Sequence, residues 1–244
     1  MSDLRPILTT EKLVMQFGGV TAVDNVDFTL REGELRCLLG PNGAGKSTFF
    51  KCLTGQLTPT SGRVRFDGQD ITGWETHAIV GMGVGIKTQV PNLFDGLSAY
   101  ENVRMSARRK HLRPMAKEKA EEMLEKCGIA HLARREVGLL AHGQRQLVEL
   151  ATVLAGEPRL VLLDEPAAGM AGDERDRLAD LVLETSRRAA VVVVEHDMAF
   201  IRRIAKFTTV FNRGAIFREA MIDEIMSDRA VQEIYLGKQA DVAA

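Results

Sequence analysis

The stretch GPNGAGKST, residues 40–48, has the residue types and the spacing that hold phosphate groups. It matches the pattern G-x-x-x-x-G-K-[ST] and stands between a predicted strand, ELRCLLG, and a predicted helix, STFFKCLTG. Glycines let the backbone approach phosphates closely, and free N–H groups at the start of a helix attract negative charge. We expect Lys46 to reach the β- and γ-phosphates of a nucleoside triphosphate and Ser47 to bind Mg²⁺. The predicted phosphate-loop residues are Gly40, Pro41, Asn42, Gly43, Ala44, Gly45, Lys46, Ser47 and Thr48.

A second group of residues that could take part in a reaction is the acidic pair at the end of the apolar run LVLLDE, residues 160–165. Asp164 is expected to hold Mg²⁺ through water, because this ion keeps much of its hydration shell. Glu165 lies one residue nearer the strand tip, where it could polarise an attacking water. The alternative is that Glu165 is only a solvated residue at a strand end.

The loop LAHGQ, residues 140–144, leads into apolar residues at helical spacing. The first N–H groups of a helix have no partner within it and form a natural seat for an anion. The sequence therefore predicts either an anion-binding loop or a simple helix cap at Gly143 and Gln144.

These residues need elements that position them. The near-continuous apolar runs RLVLLDE and AAVVVVEH are typical of parallel strands buried on both faces, and ERDRLADLVLETSRR between them predicts a crossover helix. Leu178, Leu181, Val182 and Thr185 should face the sheet. Ligands of such a β-α-β unit are expected at the carboxyl ends of its strands. The run RVRFDGQDI predicts a hairpin, and residues 90–150 contain a helical section in which Pro114 opens a helix.

Composition excludes several classes of protein. The net charge of −1 over 244 residues indicates no global attraction to nucleic acid or to an anionic membrane, and RRKHLR at 108–113 is interpreted as a solvated face. No run approaches the ~18 to 20 apolar residues of a membrane span, and MSDLRPILTT does not resemble a secretory signal. Cys37, Cys52 and Cys127 form neither a metal nor a disulfide pattern, which favours a reducing compartment.

Taken together, the motifs resemble the ATP-binding subunits of ABC transporters, in the order found in that family and from Phe17 to YLG at residues 235–237. The resemblance implies an α/β protein with the P-loop NTPase ABC ATPase fold. It has a RecA-like parallel-sheet core, an antiparallel β arm and a helical subdomain. One domain is expected over residues 1–244, with the nucleotide-binding core at 1–88 and 151–244. The helical subdomain, with the Q-loop and the signature loop, is expected at 89–150.

The resemblance also assigns roles to residues. Phe17 in VMQFGG would stack on adenine, Gln89 in GIKTQVPNLF would be the Q-loop ligand of Mg²⁺, and His196 in VVVVEHDM would contact the γ-phosphate. Lys46, Glu165 and His196 would be the catalytic residues, and Ser47, Gln89 and Asp164 the metal ligands. The signature loop would close over ATP held by a second ATPase subunit, through Ala141, His142, Gly143 and Gln144.

Three positions depart from the family pattern. Ala141 replaces the usual serine of the signature loop, and His142 replaces its first glycine. Ala171, in AAGMAGD, stands where the D-loop often ends in aspartate or asparagine. The departure at Ala171 is expected to alter cooperation between the two subunits, and catalysis at Glu165 need not be lost.

The function implied is ATP hydrolysis, with ATP and Mg²⁺, that powers an ABC importer at the cytoplasmic face of the bacterial inner membrane. HGQ, DEPAAGM, VVVVEHDMAFI and YLG are most similar to the ATPases of uptake systems for branched-chain amino acids, urea or short-chain amides. The expected partners are transmembrane permease subunits, a second ATPase subunit and, indirectly, an external solute-binding protein. The alternatives are a lipopolysaccharide-export ATPase, a soluble ABC ATPase without a transport role, or a non-hydrolytic binding module.

Overall fold

A six-stranded sheet forms the centre of the computed structural model, which describes residues 4–240 and the side chains up to residue 235. The strand order is β10-β9-β3-β8-β7-β6, and only β10 is antiparallel to its neighbour. The strands are β3 Leu35–Leu39, β6 Val84–Lys87, β7 Leu160–Asp164, β8 Ala190–Val194, β9 Phe207–Asn212 and β10 Ala215–Met221. Every residue of β3, β7 and β8 is buried, as expected for parallel strands covered on both faces.

An antiparallel sheet in the order β2-β1-β4-β5 forms the predicted arm. Its strands are β1 Pro6–Phe17, β2 Val20–Arg31, β4 Ser61–Phe66 and β5 Gln69–Asp70. The predicted hairpin joins β4 to β5 through Asp67 and Gly68, which have φ angles of 51° and 79°. Positive φ at both central residues is the requirement of a tight hairpin turn, and an Asp-Gly pair meets it with little strain.

Nine helices and two short 3₁₀ turns, Ala130–Leu132 and Val137–Leu139, lie within residues 4–240. The helices are α1 Lys46–Leu53, α2 Thr76–Gly81, α3 Ala99–Ala107, α4 Arg113–Lys126, α5 His142–Ala155, α6 Gly172–Thr185, α7 Met198–Ile204, α8 Ile222–Ser227 and α9 Arg229–Ala240. Helix α1 ends just before Gly55, whose φ of 71° suits the left-handed position after a helix. None of these helices combines the length and the apolar character needed to cross a bilayer.

Side chains alternate between two hydrophobic cores on the faces of the central sheet. Val191 and Val193 of β8 pack in the core under α3 to α7, whereas Val192 and Val194 pack in the core shared with α1 and the antiparallel sheet. The predicted crossover helix is α6, which buries Leu178, Leu181 and Val182 but leaves Thr185 only half-buried. The two connected strands are thereby fixed side by side.

The middle section of the chain is helical, as predicted. Ser98 starts α3 with a capping box, in which its hydroxyl accepts from Glu101 N–H while the Glu101 carboxylate accepts from Ser98 N–H. Pro114 lies in the first turn of α4, where its missing N–H costs nothing. Helix α5 continues past residue 150 to Ala155, so the predicted subdomain boundary lies inside this helix. The division into core and helical subdomain stays a prediction.

The three cysteines are free and buried. Burial raises the pKa of Cys37 and Cys127 to about 12 and that of Cys52 to about 11. These thiols therefore stay protonated at neutral pH and behave as core side chains.

Candidate active site

The phosphate loop connects the end of β3 to the start of α1 in a conformation that requires glycine. Gly40 and Gly45 have φ angles of 141° and 102°. A Cβ at Gly40 would overlap the carbonyl oxygen of Phe211, and one at Gly45 would overlap that of Ala22. The loop thus lies tightly against β9 and the antiparallel sheet, with the N-terminus of α1 at its end.

Lys46, the first residue of α1, is buried inside this loop. Its Nζ donates to the carbonyl oxygens of Gly40, at 2.6 Å, and Pro41, at 3.1 Å. The ammonium group is therefore held within the ring of backbone that the sequence assigns to phosphates. Ser47, the next residue, is exposed at the start of the helix.

Asp164 ends β7 as a buried carboxylate whose Oδ1 makes no hydrogen bond within the described residues. Burial, followed by the nearby negative charge of Glu165, raises the pKa of Asp164 to about 6. A buried oxygen of this kind fits a cation that brings its own water ligands. No cluster of three or more His, Cys, Asp or Glu side chains suited to a metal occurs among the described residues, and the predicted Mg²⁺ ligands Ser47, Gln89 and Asp164, with water, would not need one.

Glu165, the residue after Asp164, lies close to two other predicted site residues, Gln89 and His196. Gln89 Nε2 donates to Glu165 Oε2 at 2.9 Å, and His196 Nδ1 lies 3.6 Å from Glu165 Oε1. Glu165 has a φ of 45°, a left-handed conformation that is uncommon for a residue with a side chain. The carboxylate thus accepts a hydrogen bond from Gln89 and lies beside His196 at the carboxyl edge of the sheet, where a base for water is useful.

Glu195, the residue after β8, is a second buried carboxylate at this edge of the sheet. Its buried carboxylate accepts hydrogen bonds from the N–H groups of Ala167, His196 and Asp197, at 2.9, 3.0 and 3.3 Å. Backbone groups from two loops therefore meet this charge, and no ligand is needed to explain it.

A buried ion pair that the sequence analysis did not predict joins the Q-loop segment to α5. Lys87 Nζ lies 3.3 Å from Glu149 Oε2, with the two side chains 0% and 4% exposed. Glu149 Oε1 also accepts from Asn92 N–H at 2.8 Å. Burial lowers the pKa of Lys87 and raises that of Glu149, while each charge opposes the shift of the other. The pair ties the strand before Gln89 and the loop after it to the helix that carries the signature loop.

The signature loop forms the N-terminus of α5, with Ala141 as the capping residue. Gln144 Oε1 accepts from Ala141 N–H at 3.2 Å, and His142 Nε2 lies 3.0 Å from Gln146 Nε2. A Cβ at Gly169 would contact His142, and a Cβ at Gly143 would overlap the Glu174 carboxylate. The loop therefore packs against the segment that follows β7 in its own chain.

Three further positions named in the sequence analysis are Phe17, Ala171 and Tyr235. Phe17, at the end of β1, is 47% exposed, so its ring is accessible to a flat ligand. Ala171 is the residue before α6, and its N–H donates to Glu174 Oε2 at 3.1 Å. Of the YLG segment, Tyr235 has a described side chain, whereas the side chain of Leu236 is not described.

A phosphate loop after β3, together with a buried acidic strand end and a catalytic carboxylate at the end of β7 in the same parallel sheet, defines a P-loop ATPase. A family model described as ABC transporter matches residues 23–168. The chain is 36% identical to BraF, a high-affinity branched-chain amino acid transport ATP-binding protein of Pseudomonas aeruginosa, over 96% of this chain and 99% of that one. The lipopolysaccharide export system ATP-binding protein LptB of Haemophilus influenzae is 32% identical, with 96% and 98% covered.

A similar solved structure is that of MJ1267, an ATP-binding cassette of an ABC transporter, in its ADP conformation. Its TM-score is 0.83 at 30% identity, with 96% of this chain and 99% of that one covered. The chain belongs to the ABC transporter family, and it is an ATP-binding, ATP-hydrolysing subunit of the ABC type. The predicted fold class is confirmed.

Proposed function

We propose that this chain hydrolyses ATP with Mg²⁺ in order to drive an ABC importer for branched-chain amino acids, urea or short-chain amides. The observation that carries the proposal is the meeting of Gln89, Glu165 and His196 at the carboxyl edge of the sheet. The motif order and the similarity to BraF support the transport role.

In the proposed reaction, Glu165 accepts a proton from water while the water oxygen attacks the γ-phosphorus. The bond from that phosphorus to the bridging oxygen breaks, and ADP leaves with the electron pair. Gln89 and His196 hold the Glu165 carboxylate, and Lys46 exchanges its carbonyl partners for phosphate oxygens. Mg²⁺, held through Ser47, Gln89 and Asp164, would neutralise charge on the phosphates. Phe17 would stack on adenine.

The proposed active site is completed by a second ATPase subunit, identical to this chain or different from it. The N-terminus of α5 presents backbone N–H groups at His142, Gly143 and Gln144. A γ-phosphate bound by the other subunit is the anion these groups would accept. Ala141 offers no hydroxyl to that phosphate, so the backbone groups carry the contact.

A groove beside the Q-loop supports the proposed permease contact. Its volume is about 560 Å³, and its lining includes Asn92, Val80 of α2, Ser106 of α3 and Val153 of α5. Phe94, two residues after Asn92, is 61% exposed. A cytoplasmic helix of a permease subunit would fit such a groove, which would place the chain as a peripheral subunit on the cytoplasmic face of the inner membrane.

The experiment that tests the transport role begins with a tagged chain isolated from native membranes with its bound proteins. The complex is reconstituted in liposomes with the associated binding protein, and uptake of labelled leucine, urea and acetamide is measured together with phosphate release. ATP-dependent uptake of one of these solutes is expected. Stimulation only by lipopolysaccharide would instead favour the export function, which the similarity to LptB supports as the second candidate. ATPase activity without any associated membrane protein would contradict both.

A further inference from the structure

The side chain of Tyr235 reaches the phosphate loop from the last helix, far from it in the sequence. Its hydroxyl accepts a hydrogen bond from the N–H of Gly40 at 2.6 Å. Gly40 is also the residue whose carbonyl accepts from Lys46 Nζ. One glycine thus connects the Tyr235 hydroxyl on one side to the ammonium group of the loop on the other.

Helix α9, which carries Tyr235, is fixed at its start. Asp228 Oδ1 accepts from Ala230 N–H at 2.9 Å, and Asp228 Oδ2 lies 3.0 Å from Arg218 Nε on β10. Val231, one turn before Tyr235 on the same face, is buried. The helix therefore holds Tyr235 at a set distance from the central sheet.

The surroundings of Gly40 leave it little freedom. The backbone of Phe211 at the end of β9 lies on one side, close enough that a Cβ at Gly40 would overlap its carbonyl oxygen. The Tyr235 ring packs against the core on the other side. Burial raises the pKa of Tyr235, so the hydroxyl is protonated and neutral across the physiological range.

We propose that Tyr235 is a positioning residue for ATP: its hydroxyl fixes the first residue of the phosphate loop, and α9 thereby sets the affinity of the loop for nucleotide phosphates. The proposal rests on the assigned ATP site and extends it to a helix that contains none of the predicted site residues. Tyr235 does not touch the groups assigned to water activation, so its effect falls on nucleotide binding.

The test is Tyr235→Phe, which keeps the ring and removes only the hydroxyl. The loss of one hydrogen bond of ordinary strength predicts about a fivefold increase in KM for ATP and in Kd for ADP, while kcat stays within about twofold. Tyr100→Phe, at the other tyrosine of the chain, is the matched control, because Tyr100 lies on α3. A merely structural role would lower kcat and the melting temperature instead of changing KM and Kd alone.

Amide hydrogen exchange in the nucleotide-free chain tests the bond itself, independently of ATPase activity. Exchange at Gly40 should be about fivefold faster in Tyr235→Phe than in the wild type, with Tyr100→Phe unchanged. Unchanged exchange at Gly40, or unchanged KM and Kd, would overturn the positioning role. A wild-type chain that neither binds nor hydrolyses ATP would refute the proposed function, whereas the exchange result would still decide the contact between Tyr235 and Gly40.

Discussion

At the scale of single residues, the site depends on carboxylates in contrasting surroundings. Asp164 is buried and has a raised pKa and an oxygen that makes no hydrogen bond to any described residue, whereas Glu165 beside it accepts a hydrogen bond from Gln89 and lies 3.6 Å from His196. The two adjacent acids thus have different surroundings, which suit Asp164 to binding a cation and Glu165 to accepting a proton. The two substitutions that remove these charges should have different consequences.

Asp164→Asn should stabilise the nucleotide-free chain, by an amount that depends on pH. The pKa of Asp164 rises from 3.8 unfolded to about 6 folded, so the stability it contributes is complete below pH 3.8 and is lost as pH rises through about 6. The asparagine variant avoids this loss. Its advantage in unfolding free energy should grow from about 1 kcal/mol at pH 4.5 to about 3 kcal/mol at pH 7.5. Denaturant titrations at both pH values measure it, with Asp173→Asn as an exposed control; an advantage independent of pH would contradict the prediction.

Glu165→Gln should leave ATP binding intact and lower the hydrolysis rate about 10²- to 10⁴-fold, because the amide cannot accept the proton of water. Equilibrium binding of ATP and single-turnover phosphate release measure the two effects separately. Glu118→Gln, at an exposed position on α4, is the matched control, since it removes a carboxylate outside the proposed reaction. Turnover of Glu165→Gln at the wild-type rate would assign the base to another group.

At the scale of elements, the N-terminus of α5 is the feature to test. Ala141 is exposed and caps this helix, and both Asp and Asn are good capping residues. Ala141→Asp would place a charge against the phosphate of the other subunit, where like charges at ~4 Å and a dielectric near 20 repel by roughly 4 kcal/mol. Substitution at Gly143 is less informative, because the Glu174 carboxylate already occupies the space of its side chain.

Ala141→Asp should therefore bind ATP in its own phosphate loop but lose ATP-dependent dimerisation and hydrolysis, while Ala141→Asn keeps both. Size-exclusion chromatography with ATP, in the Glu165→Gln background and with the native partner subunit, measures dimerisation. Dimers of equal stability from the two variants would exclude a phosphate contact at this helix end.

The elements were predictable because each carries a local signal. The apolar run of β7, the glycine pattern of residues 40–45 and Pro114 of α4 depend on neighbours close in the sequence. Contacts such as Lys87 with Glu149 or Gly40 with Tyr235 join residues far apart, and no spacing rule reports them. Helical spacing after the signature loop is likewise a local signal, and residues 151–155 continue this one amphipathic helix across the predicted boundary between the subdomain and the core.

At the scale of the whole molecule, the proposed transport role requires that ATP turnover be coupled to a membrane protein through an exposed surface. Phe94→Asp, beside the groove that contains Asn92, should abolish permease association and transport while basal hydrolysis stays within about twofold of wild type. Phe217→Asp, at an exposed position on β10, is the matched control. Pull-down of the permease and uptake in liposomes are the measurements, and an intact complex with Phe94→Asp would place the docking surface elsewhere.

The alternation of valines along β8 determines how mutations in this protein combine. Val191 and Val193 belong to one core, and Val192 and Val194 to the other, with the sheet between them. Truncations on the same face share neighbours and a cavity, so their free-energy costs are coupled, whereas truncations on opposite faces share few neighbours and should be closer to additive. Each core can therefore accumulate sequence changes largely independently of the other, and substitutions that compensate for one another are expected two residues apart along this strand rather than next to each other.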